Sequence, residues 1–177
     1  MDQKFRLLIE LGAGEFEHAQ TYLIEYLEST RCMLKSWIAS EIMQDAGLYH
    51  LAYDINATDS KLFDEARRKQ VAAIVGAKAE SIIYHYCACD WGGFLTHTSQ
   101  EQEPIFYDRY TARHFKIDSE LVHNLCELKA AIEINRVLHH PSSIQKNSER
   151  LKILFGQIQE QLSAPAQRKI NQVLSDN

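Results

Sequence analysis

The chain has 177 residues, 45% of them hydrophobic, and a formal net charge of −5 at pH 7. This length and apolar content suit one globular domain spanning residues 1–177. The acidic balance argues against sequence-independent nucleic-acid binding, which needs several phosphates neutralised by one basic face. The charged N-terminus and the lack of a long apolar run argue against a signal peptide and a membrane span. We therefore expect a cytoplasmic protein with neither a nucleic-acid nor a membrane partner.

Helical periodicity dominates the chain. Apolar residues recur at spacings of three and four over residues 23–37 and 121–135, which predicts two long helices with one apolar face each. Asp118 or Ser119 caps the second of these helices, and Pro141 ends it. Shorter helices are predicted over about residues 3–11, 41–52, 60–74, 77–89, 148–162 and 165–174. We therefore expect an all-α bundle of about seven to eight helices, with a core at about 15–140 and a C-terminal helical hairpin at about 145–175.

The stretch from about residue 91 to residue 117 interrupts this pattern. It contains Gly92-Gly93, a polar run and Pro104, which together predict one long irregular loop. Within it, the alternation over Phe106–Arg113 favours a short hairpin. Long loops in compact domains are commonly functional, so we interpret this one as a lid packed through its aromatic residues, with Asp90-Trp91 as its hinge.

Residues 25–54 have the helix-turn-helix spacing of the metal-dependent HD phosphohydrolases. In that superfamily a histidine of one helix and a His-Asp pair of the next bind a divalent metal together with a distant aspartate. At these positions the present chain has Tyr26, His50 and Leu51. With Asp54 four residues further on, the segment resembles the hydrolase domain of RelA/SpoT-type alarmone enzymes. A phenol is a poor metal ligand at neutral pH and an isobutyl group is none, so the resemblance implies an HD-like fold with a degenerate metal motif.

The chain is more similar still to a group of uncharacterised bacterial HD-like proteins. Their pattern has an early histidine, a motif of the form AGLFHSxYGT, and an arginine followed by IG-x-x-AE-x-LxYxFC. The match covers about residues 15–92 and is carried here by His18, Ala46–Asp54, Arg67 and Ile74–Trp91. The chain departs from that pattern with Tyr for His at position 26, Asp for Gly at position 54 and Trp for Arg at position 91.

These motifs single out the candidate site residues. The resemblance implies catalytic roles for His50 and Asp54, although His50 also suits a buried core histidine and Asp54 suits a turn cap. Tyr26 has an alternative interpretation as a core aromatic residue, and Arg67 as part of a solvated helix face. A guanidinium group suits phosphate or carboxylate recognition. The candidate ligand-binding residues are Tyr26, Arg67, His18, Tyr53 and Trp91.

A metal site would need residues that the degenerate motif does not supply. The distant aspartate of the superfamily aligns here with Ala130. Cys87 and Cys89 have the wrong spacing for a zinc site, and all four cysteines are expected to stay reduced. The sequence accordingly favours no cofactor over a divalent metal such as Mn, Fe or Zn. The candidate metal ligands are His18, His50, Asp54 and Asp90.

The sequence leaves the function open among three classes. The favoured one is a degenerate or atypical HD-like domain whose central cleft binds a small anionic molecule such as a nucleotide. The alternative is an active metal-dependent phosphohydrolase with a rearranged metal site, in which the metal lowers the pKa of an attacking water. The third is a structural or partner-binding helical protein. A homodimer formed through the C-terminal helices is a further expectation.

Overall fold

The computed structural model describes residues 3–10, 19–53, 63–98, 104–139 and 142–175. These residues confirm an all-α fold, with nine α-helices, two short 3-10 turns and one two-stranded sheet. The helices are α1 (Gln3–Glu10), α2 (Ala19–Ser36), α3 (Glu41–Tyr49), α4 (Arg68–Val75), α5 (Ala77–Ala88), α6 (Trp91–Thr98), α7 (Ser119–His139), α8 (Ser142–Ile158) and α9 (Ala164–Ser175). The strands are β1 (Ile105–Asp108) and β2 (Arg113–Lys116), and the 3-10 turns are Glu65–Arg67 and Gln159–Gln161.

Most predicted helices lie within a few residues of the observed ones, and the differences occur at their ends. The helix predicted over 41–52 ends at Tyr49 and continues as a turn. In the segment predicted as a helix over 60–74, a 3-10 turn precedes α4, because the Asp64 carboxylate accepts a hydrogen bond from the Ala66 N–H at 2.7 Å. Residues 60–62 of that prediction lie outside the described residues. The helix predicted from 148 begins already at Ser142.

The prediction of one irregular loop over 91–117 is wrong. Residues 91–98 form α6, and the predicted hairpin is confirmed as the antiparallel pair β1–β2, in which Phe106 is opposite Phe115. Gly92 and Gly93 lower helix propensity, but burial of the Phe94 side chain, which is 4% exposed, stabilises this short helix. Residues 99–103 lie outside the described residues.

The chain forms two compact units. The first consists of Met1–Lys35 and Ala39–Cys87, and the second of Ser36–Ile38 and Ala88–Asn177. The organisation of residues 1–177 as a single domain stays a prediction. Among the described residues, no helix combines the length and apolarity that crossing a membrane requires.

In the first unit, α4 packs against α1 and α3. The Tyr49 hydroxyl donates a 2.6 Å hydrogen bond to the Lys4 carbonyl, which ties α3 to α1. Ser40 caps α3, because its side chain accepts a hydrogen bond from the Met43 N–H. Gly47 lets α3 approach α2 closely, since a Cβ atom at this position would lie 2.5 Å from Leu34 Cδ1.

In the second unit, α7 packs against α8 and α9, and α6 packs against α8 and β1. The buried Glu127 carboxylate accepts hydrogen bonds from the backbone N–H and the hydroxyl of Ser163, at 2.9 and 2.5 Å. Ser163 in turn caps α9 by accepting from the Ala166 N–H. Pro165 lies in the first turn of α9, where its missing N–H removes no helical hydrogen bond. Glu127 therefore fixes the start of α9 on α7.

Replacing Gly47 by Ala should destabilise the protein relative to Gly156→Ala. Both glycines are helical, so both substitutions gain up to about 1 kcal/mol of helix propensity. At Gly47 the added methyl group meets the fully buried Leu34, and such overpacking costs about 1–3 kcal/mol. At Gly156 an added Cβ has no heavy atom within 4 Å. Urea denaturation should therefore give Gly47→Ala a free energy of unfolding about 1–3 kcal/mol below that of Gly156→Ala, and equal values would contradict the close approach of α2 and α3.

Candidate functional site

Helices α2 and α3 bring Tyr26 and His50 together, as the motif spacing predicts. Their ring centroids are 5.7 Å apart, in an edge-to-face arrangement with an interplanar angle of 63°. Tyr86 of α5 contacts the same imidazole, with its ring centroid at 6.1 Å and an interplanar angle of 89°. His50 is therefore flanked by two tyrosine rings, contributed by α2 and α5.

The imidazole of His50 is buried and oriented by the backbone. Its Nδ1 atom lies 2.7 Å from the Gly47 carbonyl oxygen. A carbonyl oxygen only accepts hydrogen bonds, so Nδ1 carries the proton. The Cys87 thiol donates to the His50 carbonyl at 3.1 Å. His50 is 0% exposed, so a ligand in solution does not reach this ring in the observed conformation.

Tyr53, which is predicted to contact a ligand, belongs to a buried ionic cluster. Its hydroxyl donates to Glu80 Oε1 at 3.0 Å. Arg68 forms a bidentate pair with the same carboxylate, at 2.6 Å from Nε to Oε1 and 2.9 Å from Nη2 to Oε2. The Arg68 guanidinium also lies over the Tyr84 ring, 3.6 Å from its centroid. Burial, followed by the charge of Glu80, raises the pKa of Tyr53 above its usual range, so the phenol stays protonated.

The sequence motif selects Arg67, but the structure gives the buried partner to the adjacent Arg68. Arg67, predicted to bind an anion, donates to the Gln70 side chain at 2.7 Å, and its guanidinium carbon lies 5.5 Å from the Phe63 ring centroid. Arg68 neutralises Glu80. Its pKa is raised, first by the hydrogen bond to Glu80. The arginine that supports the first unit is thus Arg68.

The remaining candidate metal ligands and ligand-binding residues lie outside the described residues or in the second unit. His18 and Asp54 lie outside the described residues. Asp90 and Trp91 belong to the second unit, where the Trp91 ring contacts Phe94 and lies 4.9 Å from Lys129 Nζ. Within the described ranges, no three His, Cys, Asp or Glu side chains cluster closely enough to hold a metal ion.

A polar pocket on α1, α2 and α3 is the site that the sequence interpretation missed. It has a volume of about 350 Å³, within the range of roughly 300–1,000 Å³ for small-molecule sites. Two ion pairs lie within it, one between Lys4 and Asp45 and one between Arg31 and Glu28. The residues that line it are Lys4, Glu28, Arg31, Cys32, Lys35, Glu41, Gln44 and Asp45.

One sequence signal does point to this pocket. Glu28, Arg31, Cys32 and Lys35 recur at spacings of three, one and three, which places them on one face of α2, away from the apolar stripe. A charged helix face is usually only solvated. Here, Lys4 of α1 and the side chains of the first turns of α3 complete the lining of a pocket.

Comparison with known protein families finds one match. Residues 7–91 match the model of a family described as a domain of unknown function, DUF6817. The matched range includes Tyr26, His50, Arg68 and Glu80. No curated protein and no solved structure matches the chain.

Replacing Arg68 by Ala should destabilise the protein by about 2–3 kcal/mol. Removing one partner of a buried ion pair costs roughly 3–5 kcal/mol, and the value is lowered here because 38% of the Arg68 side chain is exposed to solvent. Arg67→Ala is the matched control and should change the free energy of unfolding by at most about 0.5 kcal/mol. Chemical denaturation of both variants measures the difference. Equal losses of unfolding free energy in the two variants would show that the burial of Glu80 does not depend on its ion pair with Arg68.

Proposed function

We propose that the chain is an HD-like domain with a degenerate metal site, and that its first unit binds a small anionic molecule of the nucleotide class. The observation that carries this proposal is the polar pocket, whose lining brings three cationic side chains next to α2 and α3, the helices of the HD-like motif. These cations are Lys4 of α1 and Arg31 and Lys35 of α2.

The packing around His50 supports the loss of the metal centre. The first ligand position of the HD pattern holds Tyr26, whose ring packs against the imidazole. Leu51, at the position of the motif aspartate, offers no ligand atom. Aromatic packing thus stabilises this region of the first unit, and ligand recognition moves to the polar face of α2.

The charges of the pocket suit a ligand with two kinds of polar group. Glu28, Glu41 and Asp45 stand beside the three cations, so the lining has no net formal charge. The Arg31–Glu28 pair is partly exposed, and such pairs contribute only about 0–1 kcal/mol, so Arg31 can turn to a phosphate at little cost. Lys4 keeps its pairing with the buried Asp45 carboxylate and adds its positive charge to the pocket. Phosphate oxygens bind ammonium and guanidinium groups, and the amino groups of a base donate to carboxylates and to the Gln44 side chain. A nucleotide carries both kinds of group.

Replacing Lys35 by Ala should weaken nucleotide binding about tenfold, which corresponds to about 1.4 kcal/mol for one exposed charge-assisted contact. Lys78→Ala is the matched control, because Lys78 is an exposed lysine of α5 that does not line the pocket. Calorimetry with mono-, di- and triphosphates of adenosine and guanosine measures both variants. An equal loss in the two variants would contradict binding at this pocket. Absence of binding by every nucleotide at millimolar concentration would favour the structural, partner-binding function.

Cysteine alkylation locates the bound nucleotide independently. Cys32 lines the pocket and is exposed, while Cys87, Cys89 and Cys126 are buried. Burial raises the pKa of the Cys126 thiol to about 12, and that of Cys89 further, so these thiols stay protonated and unreactive near neutral pH. Nucleotide at saturating concentration should slow iodoacetamide labelling of Cys32. Binding that leaves this rate unchanged would place the ligand elsewhere.

Manganese distinguishes the degenerate domain from a hydrolase with a rearranged site. The wild-type melting temperature should not respond to manganese, whereas the double variant Tyr26→His, Leu51→Asp adds two ligand residues near His50 and should be stabilised by it. A metal bound only by the native state stabilises that state by mass action. The added carboxylate should make the metal-free variant less stable than the wild type. A strong shift of the wild type with manganese would overturn the degenerate assignment in favour of the phosphohydrolase.

A further inference from the structure

We infer that the second unit contains a separate binding site for a free, small organic ammonium compound. The site is a cavity of about 440 Å³ beside α6 and the β1–β2 hairpin. It is lined by Asp90, Gly93, Phe94, Ile105, Tyr107 and His114. This inference does not rest on the function proposed for the first unit.

Aromatic rings supply the walls of the cavity. Tyr107 and His114 are paired across the hairpin, with ring centroids 4.7 Å apart and an interplanar angle of 33°. Phe94 of α6 is buried and contacts Trp91 and Phe106 edge to face, at 5.7 and 6.1 Å. Faces of aromatic rings attract cations, and ammonium groups are commonly held in such cages.

Hydrogen bonds hold the hairpin next to α6. The Arg109 N–H donates to the Ala88 carbonyl at 2.9 Å, and Cys89 forms an isolated bridge with Asp108. The buried Asp108 carboxylate accepts from the backbone N–H groups of Tyr110 and Thr111, at 2.9 and 3.1 Å, which fixes the turn. These contacts join β1 to the segment just before Asp90, so the aromatic pair and the carboxylate face one cavity.

Asp90 supplies the negative charge. It precedes α6, and its carboxylate lies over the first helical turn, where a Cβ atom at Gly93 would be 3.0 Å from Oδ2. Glycine at this position therefore leaves room for the carboxylate beside the cavity. A larger residue would push the carboxylate aside and fill part of the cavity.

The charge of this lining selects a cation. Among the described residues that line the cavity, Asp90 is the one acidic residue, and none is a lysine or an arginine. A phosphate or carboxylate ligand would be repelled by Asp90, while an ammonium group gains an ion pair with Asp90 beside the aromatic rings. The cavity volume falls within the roughly 300–1,000 Å³ of small-molecule sites, which favours a free compound over an extended surface such as a membrane.

Choline and its neutral isostere 3,3-dimethyl-1-butanol test the site. Choline should shift the NMR signals of Tyr107 and His114 in the full-length protein saturably, while the isostere should bind at least tenfold more weakly. Asp90→Asn should weaken choline binding at least tenfold, and Glu160→Gln, an exposed acidic residue of the same unit outside the cavity, should leave it unchanged.

Three results would overturn the inference. These are equal binding of choline and its isostere, absence of saturable shifts at choline concentrations of tens of millimolar, and unchanged choline affinity in an Asp90→Asn variant that melts like the wild type. If Asp90→Asn does not fold, the test is competition between trimethylphenylammonium and choline for the wild-type protein. Failure of trimethylphenylammonium to displace choline would then contradict the site. Co-flotation of the protein with phosphatidylcholine vesicles would overturn the assignment to a free small molecule.

Discussion

The ion pair between Arg68 and Glu80 is the contact on which the arrangement of the first unit depends. Glu80 is only 5% exposed, and an unpaired carboxylate at that depth would cost several kcal/mol. The bidentate guanidinium and the Tyr53 hydroxyl offset this cost. Because Arg68 belongs to α4, Tyr53 to the turn after α3 and Glu80 itself to α5, this one carboxylate joins three segments. The turn it holds is the one that begins with His50.

The packing around His50 adds a second constraint in the same unit. Tyr26 and Tyr86 pack on the imidazole, and the Gly47 carbonyl sets its tautomer. The polar face of α2 is a different surface of the same helix, so it can carry charged groups for a ligand without disturbing the packing of Tyr26.

The second unit follows the same physical rule for buried carboxylates. Glu127 is satisfied by the capping serine of α9. Glu133 is paired with Lys129, Arg136 and Arg150. Burial by itself would raise the pKa of Glu133, but the three cations outweigh it and hold this pKa below its usual value. Glu127 and Glu133 therefore each order neighbouring helices. Asp90, by contrast, is exposed and supplies negative charge to the cavity beside α6.

The sequence by itself determined most of the helices, because a period of 3.6 residues fixes which side chains share a helix face. The contact between Tyr26 and His50 was predicted from the resemblance to the HD pattern. Tertiary structure decided the rest. Arg67 and Arg68 have the same side chain, but neighbouring residues on a helix point about 100° apart. Only the packing against α5 shows which of the two arginines pairs with Glu80. Helix α6 forms despite Gly92 and Gly93 because Phe94 is buried against residues distant in sequence. Both cavities combine side chains from separate elements, and a local pattern does not encode which elements will be neighbours.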